Sequence, residues 1–199
     1  VFKMPRKIAI LAMLTTLALL PGGNLRAQNA EETDPFQKQS VAYRTALHYD
    51  PSLASPLTQL VDLYRKADRL AELKAIYEAH VSQYPADAGA KAVLIRIYRA
   101  LKEPNAENLV RTAVQAHPNH AFLQFLHFEL INDFSSLSRA IELEARSDRK
   151  LEWLDQLLEE ADATEDRDLA KKHLLALRDS ATEDLNVLCL RVGKGAILA

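Results

Sequence analysis

Apolar residues recur along the chain with a helical period. Leu57, Leu60 and Tyr64 stand at i, i+3 and i+7, one stripe of a helix that follows Pro51. The same offsets from Pro85 fall on Lys91, Leu94 and Tyr98, of which only the first breaks the apolar pattern. From Pro118 they fall on Gln124, His127 and Ile131, with Phe122, Phe125, Leu126 and Phe128 around them supplying apolar bulk. Helices are also predicted over 35–49 and 134–146. A last pair is predicted over 150–161, striped by Leu154, Leu157 and Leu158, and over 166–179, striped by Ala170, Leu174 and Leu177. Trp153 lies beside the first of those stripes, open to solvent or laid over the preceding helix.

The punctuation between these stripes is itself periodic. Pro51, Pro85 and Pro118, in YDPS, YPAD and HPNH, are separated by 34 and 33 residues. Eight positions before each proline stand Tyr43, Tyr77 and Val110; five before stand Ala46, His80 and Ala113. A period of this length is the mark of stacked helix pairs. Proline has no N–H to give to a helix, so it closes each second helix before the next pair begins. Five glycines in 199 residues are few for a chain of tight β turns, and the abundant Ala, Leu, Glu, Lys and Arg are good helix formers. The fold class predicted is all-α.

The residues Leu57, Leu60, Tyr64, Tyr77 and Pro85 resemble the tetratricopeptide repeat family, whose unit of 34 residues is two antiparallel helices. Val61, Leu73 and His80 replace small residues usual in that family. In the next copy Ala106 and Ala113 match, while one residue is missing around Glu103-Pro104-Asn105. The resemblance implies a right-handed superhelical α-solenoid over 36–183. Its units are a half-repeat over 36–53, repeats over 54–87, 88–120 and 121–149, and a degenerate repeat over 150–183. Residues 184–199 read as an apolar C-terminal helix, either the first half of a pair cut short or a tail that docks on a partner.

Residues 1–27 read differently. Lys3, Arg6 and Lys7 precede an uncharged apolar run from Ile8 to Leu20, followed by Pro21-Gly22-Gly23 and a small residue at Ala27. This is the pattern of a secretory signal peptide cut after Ala27, with 28–35 as a short linker, and the run is short for a membrane span. The expected location is a bacterial periplasm or the exterior, with no membrane attachment after cleavage. Removing residues 1–27 takes the formal charge from −2 to −6, which gives no electrostatic case for nucleic acid. A single cysteine, Cys189, excludes a disulfide within one chain.

No catalytic motif, phosphate-binding glycine loop or paired-cysteine zinc pattern occurs, so the chain is expected to be noncatalytic and to need no cofactor. His117 and His120 flank the turn in HPNH, and His127 follows, but three or four oriented ligands for zinc are not at hand. The expectation is a repeat boundary and no metal. The resemblance implies a different site, a concave groove lined by the first helix of each pair. Its ligand-facing positions fall on Ser55, Thr58, Asp62, Arg65 and Lys66; on Gly89, Ala92, Arg96, Arg99 and Ala100; and on Phe122, Phe125, Glu129, Asn132 and Asp133. Thr58, Asp62, Arg65, Lys66, Arg96, Arg99, Phe122, Phe125 and Glu129 are the candidate partner-binding residues. A basic patch beside exposed aromatics suits an extended protein or peptide partner with acidic and apolar side chains. Two functions are compatible with this reading: an exported scaffold that binds such a partner, or the repeat region of a larger exported enzyme or envelope assembly factor.

Overall fold

The structure, a computed structural model, describes residues 34–163, and among them it holds eight helices and no strand. They are α1 (Pro35–Tyr49), α2 (Ala54–Lys66), α3 (Leu70–Gln83), α4 (Ala88–Ala100), α5 (Ala106–Ala116), α6 (Ala121–Ile131), α7 (Phe134–Leu143) and α8 (Ser147–Ala163). The all-α class is therefore observed. The predicted signal peptide, the linker up to residue 33, the helix over 166–179 and the tail with Cys189 lie outside the described residues.

Two kinds of helix ending recur. After α2, the Arg69 N–H donates to the Tyr64 carbonyl at 2.8 Å and the Asp68 N–H to Arg65 at 3.1 Å. After α4, Glu103 donates to Tyr98 at 2.9 Å and Lys102 to Arg99 at 3.0 Å. Both are Schellman endings, which need a left-handed residue at the position after the cap. Asp68 and Lys102 supply it, each at φ 56°, where glycine would be the unstrained choice. Endings of the second kind follow α1, α3 and α5. The N–H of Asp50, Tyr84 and His117 donates back to Ala46, His80 and Ala113. After the proline, Leu53, Asp87 and His120 donate in turn to the carbonyls of Asp50, Tyr84 and His117.

In the copy over 88–120 the missing residue is not lost from the turn around Glu103-Pro104-Asn105, as expected, but from the second helix, and both endings remain. α3 begins two residues after Asp68, whereas α5 begins four after Lys102 and has 11 residues against 14. Pro104 falls in that gap, and a residue before proline is disfavoured in the helical region. Two predicted ends move. α7 stops at Leu143 and α8 starts at Ser147, because Glu144 is extended and its Oε1 accepts the Arg146 N–H at 3.0 Å.

Each helix packs on the next, and α2 and α6 also pack on α4, as does α1. α4 is accordingly apolar nearly all round, with Ala92, Val93, Leu94, Ile95 and Ile97 buried. It divides the interior into two clusters. Val93, Leu94 and Ile97 join Leu47, Leu60, Tyr64 and Leu73 on one side. Ala92 and Ile95 join Val110, Leu123, Leu126, Leu137, Ile141 and Leu157 on the other. The buried Tyr64 hydroxyl is satisfied by Ser40 Oγ at 2.9 Å.

Candidate functional site

The residues projected onto the groove lie on α2, α4 and α6, which pack in that order. Thr58 is exposed and its hydroxyl donates to the Ala54 carbonyl of its own helix. Asp62 and Arg65 form an ion pair one turn apart, and both are about half exposed. Lys66 is exposed and has no ion-pair partner among the described residues. Arg99 reaches from α4 to Glu129 on α6, Nη1 to Oε2 at 2.8 Å.

Arg96 departs from expectation. Its Nη1 donates to the carbonyl oxygens of Pro51 at 2.5 Å and Leu53 at 3.0 Å, and its guanidinium lies 5.5 Å from the Phe122 ring centroid. Burial lowers its pKa, with Glu129 and Asp50 opposing that shift. A guanidinium held this way fastens α4 to the turn before α2 and is not free for a ligand. At the same end a Cβ on Gly89 would meet Pro51 Cγ at 3.7 Å, an ordinary van der Waals contact.

The aromatics are not the exposed pair that the resemblance implied. Phe122 is buried, and Phe125 is half-buried between Phe122 and Trp153, stacking on the indole at 4.6 Å with the planes 10° apart. The indole is only 2% exposed, which rules out the solvent-facing place, and the ring it covers is Phe125 on α6, two helices back, where the expectation was the helix just before. The apolar content of Phe122 and Phe125 is thus used internally, and the row's exposed candidates are polar or charged.

A second cluster escaped the sequence reading. Asp50, in the turn after α1, accepts Arg146 Nη1 at 2.8 Å and Arg149 Nη2 at 2.9 Å. Arg149 also donates to Glu144 Oε2 at 3.0 Å and lies 5.9 Å from the Trp153 centroid. Burial would raise the Asp50 pKa, but hydrogen bonds from Ser52 and the charges of Arg149 and Arg146 hold it below the ordinary carboxylate value. Asp50, Glu144, Arg146 and Arg149, with Tyr49, His120 and Phe122, line a cleft of about 400 Å³. Partners 96 and 99 positions apart leave no trace in local periodicity.

The HPNH turn is structural. His120 caps α6, its Nδ1 accepting the Leu123 N–H at 3.2 Å. Burial and then the neighbouring His117 lower its pKa. His117 Nε2 lies 2.8 Å from Lys91 Nζ, and since an ammonium can only donate, the imidazole accepts. His127 Nδ1 contacts Ser136 Oγ at 2.8 Å. Among the described residues no three His, Cys, Asp or Glu side chains come together as a metal site would need. No helix among them is long and apolar enough to cross a membrane.

Compared with known proteins, the chain matches no family model, no curated protein and no solved structure.

Proposed function

We propose that this chain is an exported, noncatalytic scaffold whose helices form a tetratricopeptide-like solenoid and bind a protein or peptide. The observation that carries the fold reading is the repeated pair of endings. Schellman turns at Asp68 and Lys102 alternate with the proline turns after α1, α3 and α5. First helices packing on one another, α2 on α4 and α4 on α6, are what a solenoid requires.

The binding surface in this reading is the outer end of the row: Thr58, Asp62, Arg65 and Lys66 on α2, Arg99 on α4 and Glu129 on α6. Half-exposed ion pairs are worth little in isolation and exchange partners at low cost. An extended peptide with acidic side chains can therefore take Arg65 and Arg99 from their internal carboxylates and meet Lys66, which has no ion-pair partner among the described residues. Arg96, Phe122 and Phe125 support the row from beneath.

The test is crosslinking capture from an envelope extract by the mature protein and by Lys66→Glu/Arg99→Glu, with Arg96 untouched so that the helices keep their anchor. Loss of the same bands from the variant, with unchanged helicity, supports the proposal. Equal capture by both proteins refutes it.

A further inference from the structure

A partly open cavity of about 140 Å³ between α1, α3 and α4 shares no residue with the row just described. Its walls are Leu47, Ile76, Tyr77, Ala90 and Val93, and its polar groups are Arg44, His48 and His80. Arg44 is anomalous. Its Nε is buried without a hydrogen-bond partner, and no carboxylate among the described residues pairs with the guanidinium. A buried N–H left unpaired costs about 1–3 kcal/mol, more when the group is charged. His80 is differently placed: its Nε2 contacts Asp87 Oδ2 at 3.0 Å, and Asp87 is also held by the Ala90 N–H at 2.8 Å. Asp87 thereby orients the imidazole while its own oxygens are taken up. Tyr77 beneath is 8% exposed, and burial pushes its phenol up to about 12, so it stays a neutral donor.

An apolar chamber with one unpaired guanidinium, two imidazoles and a neutral phenol matches one ligand chemistry. We propose that it binds an apolar group bearing a carboxylate, the carboxylate on Arg44 and the apolar body against Leu47, Ile76 and Val93. Size sets the class. A dry cavity of about 150 Å³ accommodates benzene, so the body is a single ring or a branched chain of similar bulk. Two sources carry that chemistry, a free monocarboxylic acid and the C-terminal residue of a peptide ending in Phe or Leu.

The experiment is calorimetric or NMR titration of the protein with benzoate, 4-methylvalerate, benzamide, and a short peptide ending in Phe, either with a free C-terminus or amidated. Binding of a carboxylate with benzamide or the amidated peptide at least about tenfold weaker is expected, as for loss of a charge-assisted hydrogen bond. Arg44→Gln is expected to lose the carboxylate preference. Val93→Phe, which fills the chamber and leaves the guanidinium, is expected to abolish binding of the free acid. Saturation by the free acids assigns a small molecule; saturation by the peptide acid alone assigns a chain terminus; either supports the site. Carboxylate and amide binding equally, binding unchanged in Arg44→Gln, or no carboxylate binding below about 5 mM overturns it. Because Lys66 and Arg99 are untouched, failure here leaves partner capture by the α2–α4–α6 row standing, and the reverse.

Discussion

Replacing Asp50 with Asn removes one charge from the contact between the turn after α1 and the start of α8. The Asn oxygen can still accept the Ser52 N–H and hydroxyl, which Asp50 Oδ1 now takes at 3.0 and 2.5 Å, so the turn itself survives. What is lost is the pairing of Oδ2 with Arg149 and Arg146. Arg146 is half exposed and shared with Asp148, so its share is small. Arg149 is different, with its side chain 14% exposed against 23% for Asp50. At about 4 Å between charges and an effective dielectric near 20, the gross attraction is about 4 kcal/mol. Desolvation offsets much of it, leaving a coupling of about 1–2 kcal/mol, between exposed and fully buried pairs. The assay is urea unfolding of the wild type, Asp50→Asn, Arg149→Gln and the double variant. Loss of the Arg149 bond to Glu144 occurs in both arms of the cycle and cancels. Asp50→Asn alone should lower the midpoint of thermal unfolding by roughly 3–6 °C. A coupling below about 0.3 kcal/mol would mean that the two turns do not meet in solution, and the closed arrangement would be wrong.

Glycine at position 68 or 102 should stabilise the protein by about 0.5–1 kcal/mol, the left-handed strain relieved less the added freedom of the unfolded chain, measured by the same urea method. Destabilisation by either change would remove the Schellman endings from the argument. Trp153→Ala should cost about 3–5 kcal/mol, and the emission of this lone tryptophan in the wild type should be blue-shifted in the native state and move to the red on unfolding. His120 contributes a pH dependence of known sign: its folded pKa is below the unfolded value near 6.5, so its contribution is complete above about pH 6.5 and is lost as pH falls. His120→Asn keeps a capping oxygen without titrating, so its stability between about pH 7 and 5 should fall less steeply than that of the wild type. Equal slopes would show that His120 does not cap as a neutral base.

The helices and the proline turns were legible because their causes are local. Leu57, Leu60 and Tyr64 lie within two turns of one another, and Pro51 acts on its own neighbours. The left-handed endings were not legible: Asp68 and Lys102 stand where glycine would have announced them, and only the backbone angle reveals their role. Site residues divide along the same line. Arg65 pairs with Asp62 three positions away, a partnership foreseeable from helical spacing. Arg96 binds carbonyls 43 and 45 positions away, and nothing in its own helix distinguishes it from Arg99, which stays at the surface. Phe122 and Phe125 stand on the helix that the pattern predicts, but Phe125 is covered by Trp153 arriving from α8, a contact that no local spacing encodes.

These long-range contacts bear on how the molecule should unfold. A stack in which each repeat touches only its neighbours can fray from either end, because its stability is a sum of local terms. Here α4 contributes to both apolar clusters, so removing either side exposes residues on the helix that holds the other. Arg96 ties that same helix to the Pro51–Leu53 turn, and Arg149 ties α8 to Asp50 beside it. Opening α8 therefore takes Arg149 from Asp50 and Glu144 and Trp153 from Phe125 at once, and the cost is concentrated in one step. The charged row on α2, α4 and α6 lies outside this network except at Arg96. Its ion pairs can break and re-form on a ligand without loosening the helices beneath, which is the property a binding surface on a rigid support needs.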